Sequence, residues 1–174
     1  MLVSTPGDVL VRRARTSDVV EIRAIVEGYA EDMILLAKDI VTLYEDVPDF
    51  RVAVNSDGRV VGCGAIHVMW EDLAEVRTLA VLPEFRGRGI GRRILADLVS
   101  TASELGVERV VCLTFETGFF RSQEFKVADS VDVAPEVFMQ MVRSADEGIA
   151  EFLDLERVRP NTLGNTRMVR IVRG

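Results

Sequence analysis

The stretch that decides the fold is residues 79–91, L-A-V-L-P-E-F-R-G-R-G-I-G. An apolar run stops at Pro83, and an arginine-glycine alternation carries the chain to Gly91. Residues 74–82 read as a strand. A helix begins at Gly89, with Ile90, Ile94, Leu95, Leu98, Ala102 and Leu105 at helical spacing and Gly106 as its stop. The first amides of such a helix have no intrahelical partner, and its dipole adds partial positive charge. Gly87, Gly89 and Gly91 let a ligand approach the bare backbone. Within residues 84–93, Arg86, Arg88, Arg92 and Arg93 are set against Glu84 alone. The combination predicts a cradle for a diphosphate.

Other nucleotide loops fail on spacing. No G-x-x-x-x-G-K-[ST] occurs, and a dinucleotide fingerprint started at Gly87 meets Arg92 where its third glycine belongs.

Working outward, residues 9–13 read as a strand. Thr16, Ser17 and Asp18 offer caps for a helix over 18–30, and residues 39–46 suggest a shorter helix ended by Pro48. Strands over 50–54 and 59–70 flank N55-S56-D57-G58, a hairpin turn by composition. A strand over 109–115 is apolar in its middle, which predicts a central place in the sheet. Short helices over 119–122 and 135–145 and a last strand over 168–172 complete the order. An antiparallel meander followed by strand–helix–strand predicts an α+β fold, a mixed, mostly antiparallel sheet flanked by helices.

The chain has 174 residues, 48% hydrophobic and 28% charged, which suits one domain over 1–174. A net charge of −7 argues against a general nucleic-acid binder, so an anionic ligand must be held by local charge. Cys63 and Cys112 lie in apolar runs without C-x-x-C spacing, and there is one histidine, so no metal site is expected. Buried thiols point to a reducing cytoplasm. No signal-peptide pattern or membrane-length apolar stretch is seen, so no membrane association is expected. His67 and the phenylalanines Phe115, Phe119, Phe120 and Phe125 read as structural.

L-A-V-L-P-E-F-R-G-R-G-I-G resembles the acetyl-CoA signature R/Q-x-x-G-x-G/A of the GCN5-related N-acetyltransferases (GNAT), with Arg86, Gly89 and Gly91 at its defining positions. The resemblance implies that residues Arg86, Gly87, Arg88, Gly89, Ile90 and Gly91 bind the CoA pyrophosphate. It also implies that the preceding strand splays at a bulge near Leu79, Ala80 and Val81, whose backbone pairs with the pantetheine arm and polarises the thioester.

Three further stretches are similar to short bacterial N-acetylglutamate synthases. Residues 34–50, ILLAKDIVTLYEDVPDF, match the segment bearing G-I-L-V-R-R-S. Residues 74–81, AEVRTLAV, match G-E-[IM]-A-C-[VL]-A-V. Residues 111–125, VCLTFETGFFRSQEF, match F-V-L-T-T-x-T-x-W-F-x-E-R-G-F. Residues 159–168 are a weaker counterpart of Y-N-x-Q-R-R-S-K-V. Transfer of acetyl from acetyl-CoA to the α-amine of L-glutamate, with a cytoplasmic place in arginine biosynthesis and a homodimer, is what the resemblance implies.

Glutamate's carboxylates call for cations. Lys38 takes the position of the second arginine of R-R-S. Arg77 lies on the strand beside the thioester, and Arg167 in the tail is a third candidate. Glu75 matches the family glutamate and is the expected acceptor of the amine proton, with direct pairing to Arg77, two residues on, as the alternative. Thr78 stands where the family has cysteine, and Thr114 and Thr117 flank the end of the next strand. Many members protonate the leaving thiolate with a tyrosine near Phe119–Phe120, and none occurs here. Ala37, Gly164, Asn165 and Glu124 depart from the family pattern. Glutamine, another amine (a polyamine, an antibiotic or a protein N-terminus) and a non-catalytic acetyl-CoA sensor therefore stay open at this stage.

Overall fold

The computed structural model describes residues 8–30, 38–155 and 165–172. Seven strands form one sheet: β1 (Leu10–Arg13), β2 (Phe50–Val54), β3 (Val60–Trp70), β4 (Leu73–Val81), β5 (Arg109–Thr114), β6 (Lys126–Val127) and β7 (Thr166–Ile171). Their spatial order is β1-β2-β3-β4-β5-β7-β6. The β4–β5 pair is parallel, and every other neighbouring pair is antiparallel. The helices are α1 (Val19–Ala30), α2 (Ile40–Glu45), α3 (Ile90–Glu104), α4 (Thr117–Ser122), α5 (Pro135–Met141) and α6 (Glu147–Phe152). This is the mixed α+β sheet expected from the sequence.

Strand alternation sorts the helices onto two faces. On one face Phe50, Val52, Cys63 and Ala65 pack beneath α1 and Leu43 of α2. Further along it, Met69, Leu73 and Val111 are covered by Met141, Ile149 and Phe152 of α5 and α6. On the other face Ile90, Ile94, Leu95, Leu98, Val99 and Ala102 of α3 meet Val61, Ile66, Val76 and Val110. Each such aliphatic side chain removed from water contributes roughly 1.5–3 kcal/mol.

The seat of α3 is set by a glycine. A Cβ at Gly64 would stand 3.0 Å from side-chain atoms of Ile94 and Leu98 on α3 and of Leu79 on β4, so the helix side chains rest directly on bare strand backbone.

Two elements escaped the sequence reading. The strand β6 is two residues long, and α6 is covered in sequence by its charged positions. Leu105 lies just past α3 and is 61% exposed rather than on its buried face. Phe115 has run off the end of β5 into solvent, which corrects its core assignment, whereas Phe120 and Phe125 are buried. Thr16–Asp18 forms a 3-10 turn ahead of α1, in which Asp18 accepts hydrogen bonds from Arg12 and from the Arg15 amide.

Candidate active site

The sheet opens along one seam. β4 and β5 pair only at Leu73–Arg109, Ala74–Val110 and Glu75–Val111; beyond Glu75 the pairing stops while both strands continue. On the other side of β4 the register slips. Cys63 pairs with Ala80 and Ala65 with Arg77, so Thr78 and Leu79 together oppose Gly64. This is a β-bulge, and it turns β4 away from β5. Thr78 adopts φ 56°, a left-handed conformation that a β-branched residue takes at a cost of about 1–3 kcal/mol. Such strain is found where surrounding structure enforces it, here at the fork of the sheet.

Past the fork β4 ends in a 3-10 turn (Pro83–Phe85) that leads to α3. Gly87 and Gly89 have φ 75° and 74°, conformations open to glycine at little cost. Gly89 is the N-cap and no side chain caps the helix. The Arg93 amide closes the first turn on the Gly89 carbonyl, which leaves the amides of residues 89–92 outside the helical ladder. A Cβ at Gly87 would meet nothing within 4 Å, so the turn is open above that residue. A cleft of about 510 Å³ runs from Val81 past Arg86, Gly89 and Gly91 to Phe119 and Ser122. Its size and free amides suit a diphosphate-bearing ligand. Phe119, read as core, lines this cleft while its ring meets Phe120 edge-on, 5.1 Å between centroids.

Arg88 donates to the Glu84 carbonyl and lies over the Phe85 ring. Arg86 is turned back toward α1. It donates to the Tyr29 hydroxyl and stacks on that ring, 5.1 Å from its centroid. The same hydroxyl donates to the Val81 carbonyl at 2.6 Å. The position of Tyr29 within α1 carries no local sign of this contact.

At the fork itself Glu75 is buried, 4% exposed, between His67 on β3 and Val111 on β5. Its carboxylate accepts from Arg77 Nε at 2.6 Å. The other edge of that guanidinium makes a two-pronged pair with Asp146, Nη1 at 2.9 Å and Nη2 at 2.6 Å. Asp146 also caps α6, accepting from the Ile149 amide at 2.8 Å. α6 therefore sits directly on Arg77: a Cβ at Gly148 would fall 2.5 Å from the guanidinium.

Burial pushes the Glu75 carboxyl up, and Arg77 opposes that shift. Burial also acts on Asp146, but hydrogen bonds and charge from Arg77 win and hold it down at about 2. A further acid on α6, Glu151, is pushed up to about 7 by burial first and by repulsion from Glu75 second. Asn165 donates to it at 2.7 Å. Arg77 is thus clasped between one carboxyl with raised proton affinity, Glu75, and one held ionised, Asp146, while Glu151 lies near enough to feel the charge of both Glu75 and Arg77; a buried acid with raised proton affinity at the fork is suited to proton transfer.

The other expected residues are scattered. Lys38 pairs with Asp46 at 3.2 Å. Thr114 accepts from the Glu116 amide at 2.8 Å and so shapes the start of α4. Arg167, one register step from Thr114 on β7, donates to the carbonyls of Phe152 and Asp129. Both edges of Arg77 are taken, so a substrate carboxylate would have to displace Asp146. Ala37 and residues 159–164 lie outside the described residues. His67 pairs with Asp49 at 3.0 Å. Among the described residues no group of three or more His, Cys, Asp or Glu side chains is arranged to hold a metal ion, and no helix is long and apolar enough to cross a membrane.

A parallel strand pair that parts beside a buried carboxylate and leads into a turn of unpaired amides frames a site suited to group transfer from a diphosphate-bearing carrier. Residues 19–125 match the acetyltransferase (GNAT) family, and the chain belongs to it. An amino-acid acetyltransferase of Mycobacterium tuberculosis is 52% identical over 165 residues, 94% of each chain. One of Neisseria meningitidis is 32% identical over 138 residues, 78% of this chain and 31% of that longer one. The crystal structure of Rv2747 from Mycobacterium tuberculosis, in complex with CoA and a second ligand, superposes with a TM-score of 0.91 at 52% identity, over 94% of this chain and 99% of that one. N-acetylglutamate synthase from Neisseria gonorrhoeae, complexed with coenzyme A and N-acetyl-glutamate, shares the fold with a TM-score of 0.76 at 24% identity, over 98% of this chain and 36% of that one.

Proposed function

We propose that this chain is an amino-acid N-acetyltransferase that moves acetyl from acetyl-CoA to the α-amine of L-glutamate. The observation that carries the reading is the fork: a cradle of free amides, an opened strand and a buried glutamate lie in one line along β4 and into α3. Kinship with amino-acid acetyltransferases supports the choice of acceptor.

Acetyl-CoA supplies an electrophilic thioester carbonyl and a stable thiolate as leaving group. The amides at 89–92 and the charges of Arg86 and Arg88 hold its diphosphate. Residues 79–81 offer backbone to the arm and an amide to the oxyanion that develops on the thioester carbonyl. Glu75, with its raised proton affinity, takes a proton from the incoming ammonium, directly or through water, and the freed amine attacks in a ternary complex. Arg77 orients Glu75 in this scheme. Lys38, Thr78, Thr114 and Arg167 stay candidates for acceptor contact, and Lys38, Thr114 and Arg167 would exchange the partners described above for substrate. A single domain, a homodimer and a cytoplasmic location belong to the same proposal; two free buried thiols, Cys63 and Cys112, suit a reducing compartment.

One observation favours a second acceptor, glutamine. Lys38, Arg77 and Arg167 each already serve a partner of the chain, and an acceptor with one carboxylate needs fewer cations. Thiol release from acetyl-CoA, measured across the twenty amino acids, tests both readings. Stimulation by glutamate supports the first and preferential stimulation by glutamine the second. No stimulation by either rejects this function.

A further inference from the structure

We infer that Tyr29 is the positioning residue of the acetyl-CoA site: its hydroxyl ties the end of β4 to Arg86 and so sets affinity for the cosubstrate without touching the transferred group. The inference rests on the reading of the cleft as an acetyl-CoA site. It starts from what a phenol can do. Tyr29 has one proton to donate and lone pairs to accept with. The proton goes to the Val81 carbonyl at 2.6 Å, and a lone pair receives Arg86 Nε at 3.0 Å. The hydroxyl is thus a relay between one backbone carbonyl and one charged side chain.

The position of that carbonyl matters. The Leu82 amide donates across to Val61 on β3. Alternation then turns the amide and carbonyl of Val81 to the opposite edge of β4, the edge from which β5 has parted. Unanchored, the last residue of a strand with no neighbour on that side is free to fray. Tyr29 supplies the missing lateral bond from α1, and Val81 lines the cleft it stabilises.

The position of the guanidinium matters equally. A surface arginine gives little to anion binding if it must be ordered first, because long side chains lose rotamer freedom on binding. Arg86 is ordered beforehand by the hydroxyl and by stacking on the ring, 5.1 Å from its centroid. Its charge is held at the rim of the cleft beside Gly87 and Gly89. No proton moves in this role, so it predicts an effect on binding and none on the chemical step.

Tyr29→Phe removes the relay and keeps the ring. CoA affinity is measured by titration calorimetry, alongside kcat, both KM values and the melting temperature without ligand. Having to order a freed arginine on binding is worth up to about tenfold in affinity. The expected result is a CoA Kd and acetyl-CoA KM raised by about tenfold, kcat within twofold, acceptor KM unchanged. In an Arg86→Gln background the same substitution should add less than threefold, since the relay has lost one end. A lowered melting temperature with unchanged CoA affinity would overturn the inference and leave Tyr29 a packing residue. A fall in kcat at unchanged acetyl-CoA KM would overturn it too. If the unsubstituted protein binds no CoA, it is the reading of the cleft that fails, and this inference falls with it.

Discussion

Replacing Glu151 by glutamine should make the protein more stable above neutrality. The carboxyl on α6 is pushed up to about 7 by burial and by the nearby charge of Glu75. An acid whose proton affinity is higher in the folded state binds more protons there than when unfolded. Stability therefore falls as pH rises from the ordinary carboxyl value toward about 7, and the cost of the charge is fully felt above it. Between the ordinary 4.5 and about 7 that cost is roughly 3 kcal/mol without screening. Glu151 is only partly buried, and water reduces the figure to about 1–2 kcal/mol. Glutamine keeps a carbonyl for the 2.7 Å bond from Asn165, so the substitution removes the charge and little else. Urea unfolding of both proteins at pH 5, 6, 7 and 8 measures the effect. The variant should match the parent near pH 5 and exceed it by about 1–2 kcal/mol at pH 8. Two stability–pH curves running parallel across that range would refute the reasoning.

Glu75→Gln should lower kcat by about 10²–10⁴-fold and leave CoA affinity intact, read by thiol release and calorimetry. Gly89→Ala forces a side chain into φ 74° with no closer neighbour than Arg92 Nη2 at 3.7 Å; unfolding should show a loss of about 1–2 kcal/mol, with Gly89→Asn milder because asparagine tolerates that conformation. Gly148→Ala drives a methyl into the Arg77 guanidinium, 2.5 Å away, and should cost about 1–3 kcal/mol in unfolding experiments. In an Arg77→Ala background that cost should vanish, since the obstructing group is gone.

Legibility followed periodicity and local chemistry. The strand ending at Pro83 and the helix at Gly89 announce themselves, because a breaker, a glycine run and a helical apolar face coincide within residues 79–105. The Glu75–Arg77 contact was visible too, since alternation puts both on one side of β4. Asp146 was not. It stands 69 positions from Arg77, and no local pattern marks a carboxylate that both caps a short helix and clamps a distant guanidinium. Glu151 and Tyr29 escaped for the same reason: each looks like an ordinary helical residue until the sheet brings β4 beside it. Phe115 misled through composition, because an aromatic after an apolar strand reads as core whether or not the strand has ended. Sequence resemblance marks the expected donor side through a motif and the expected acceptor side only through isolated residues. A donor site made of backbone amides and glycines leaves a motif in the sequence. The acceptor cations are single side chains whose partners depend on tertiary packing.

Gly64 lies more than twenty residues before α3, the helix whose first amides stand outside the ladder, yet it governs how that helix rests. It opposes the two-residue widening of β4, and Ile94 and Leu98 lean directly on its bare Cα. A methyl group there would act as a shim beneath one side of α3, tipping the helix about Leu98 and swinging its amino end sideways. A substitution at a site with no polar atom near the ligand would then be felt as a defect in cosubstrate capture. Screens for such defects should be searched for changes at this hidden fulcrum as well as in the loop.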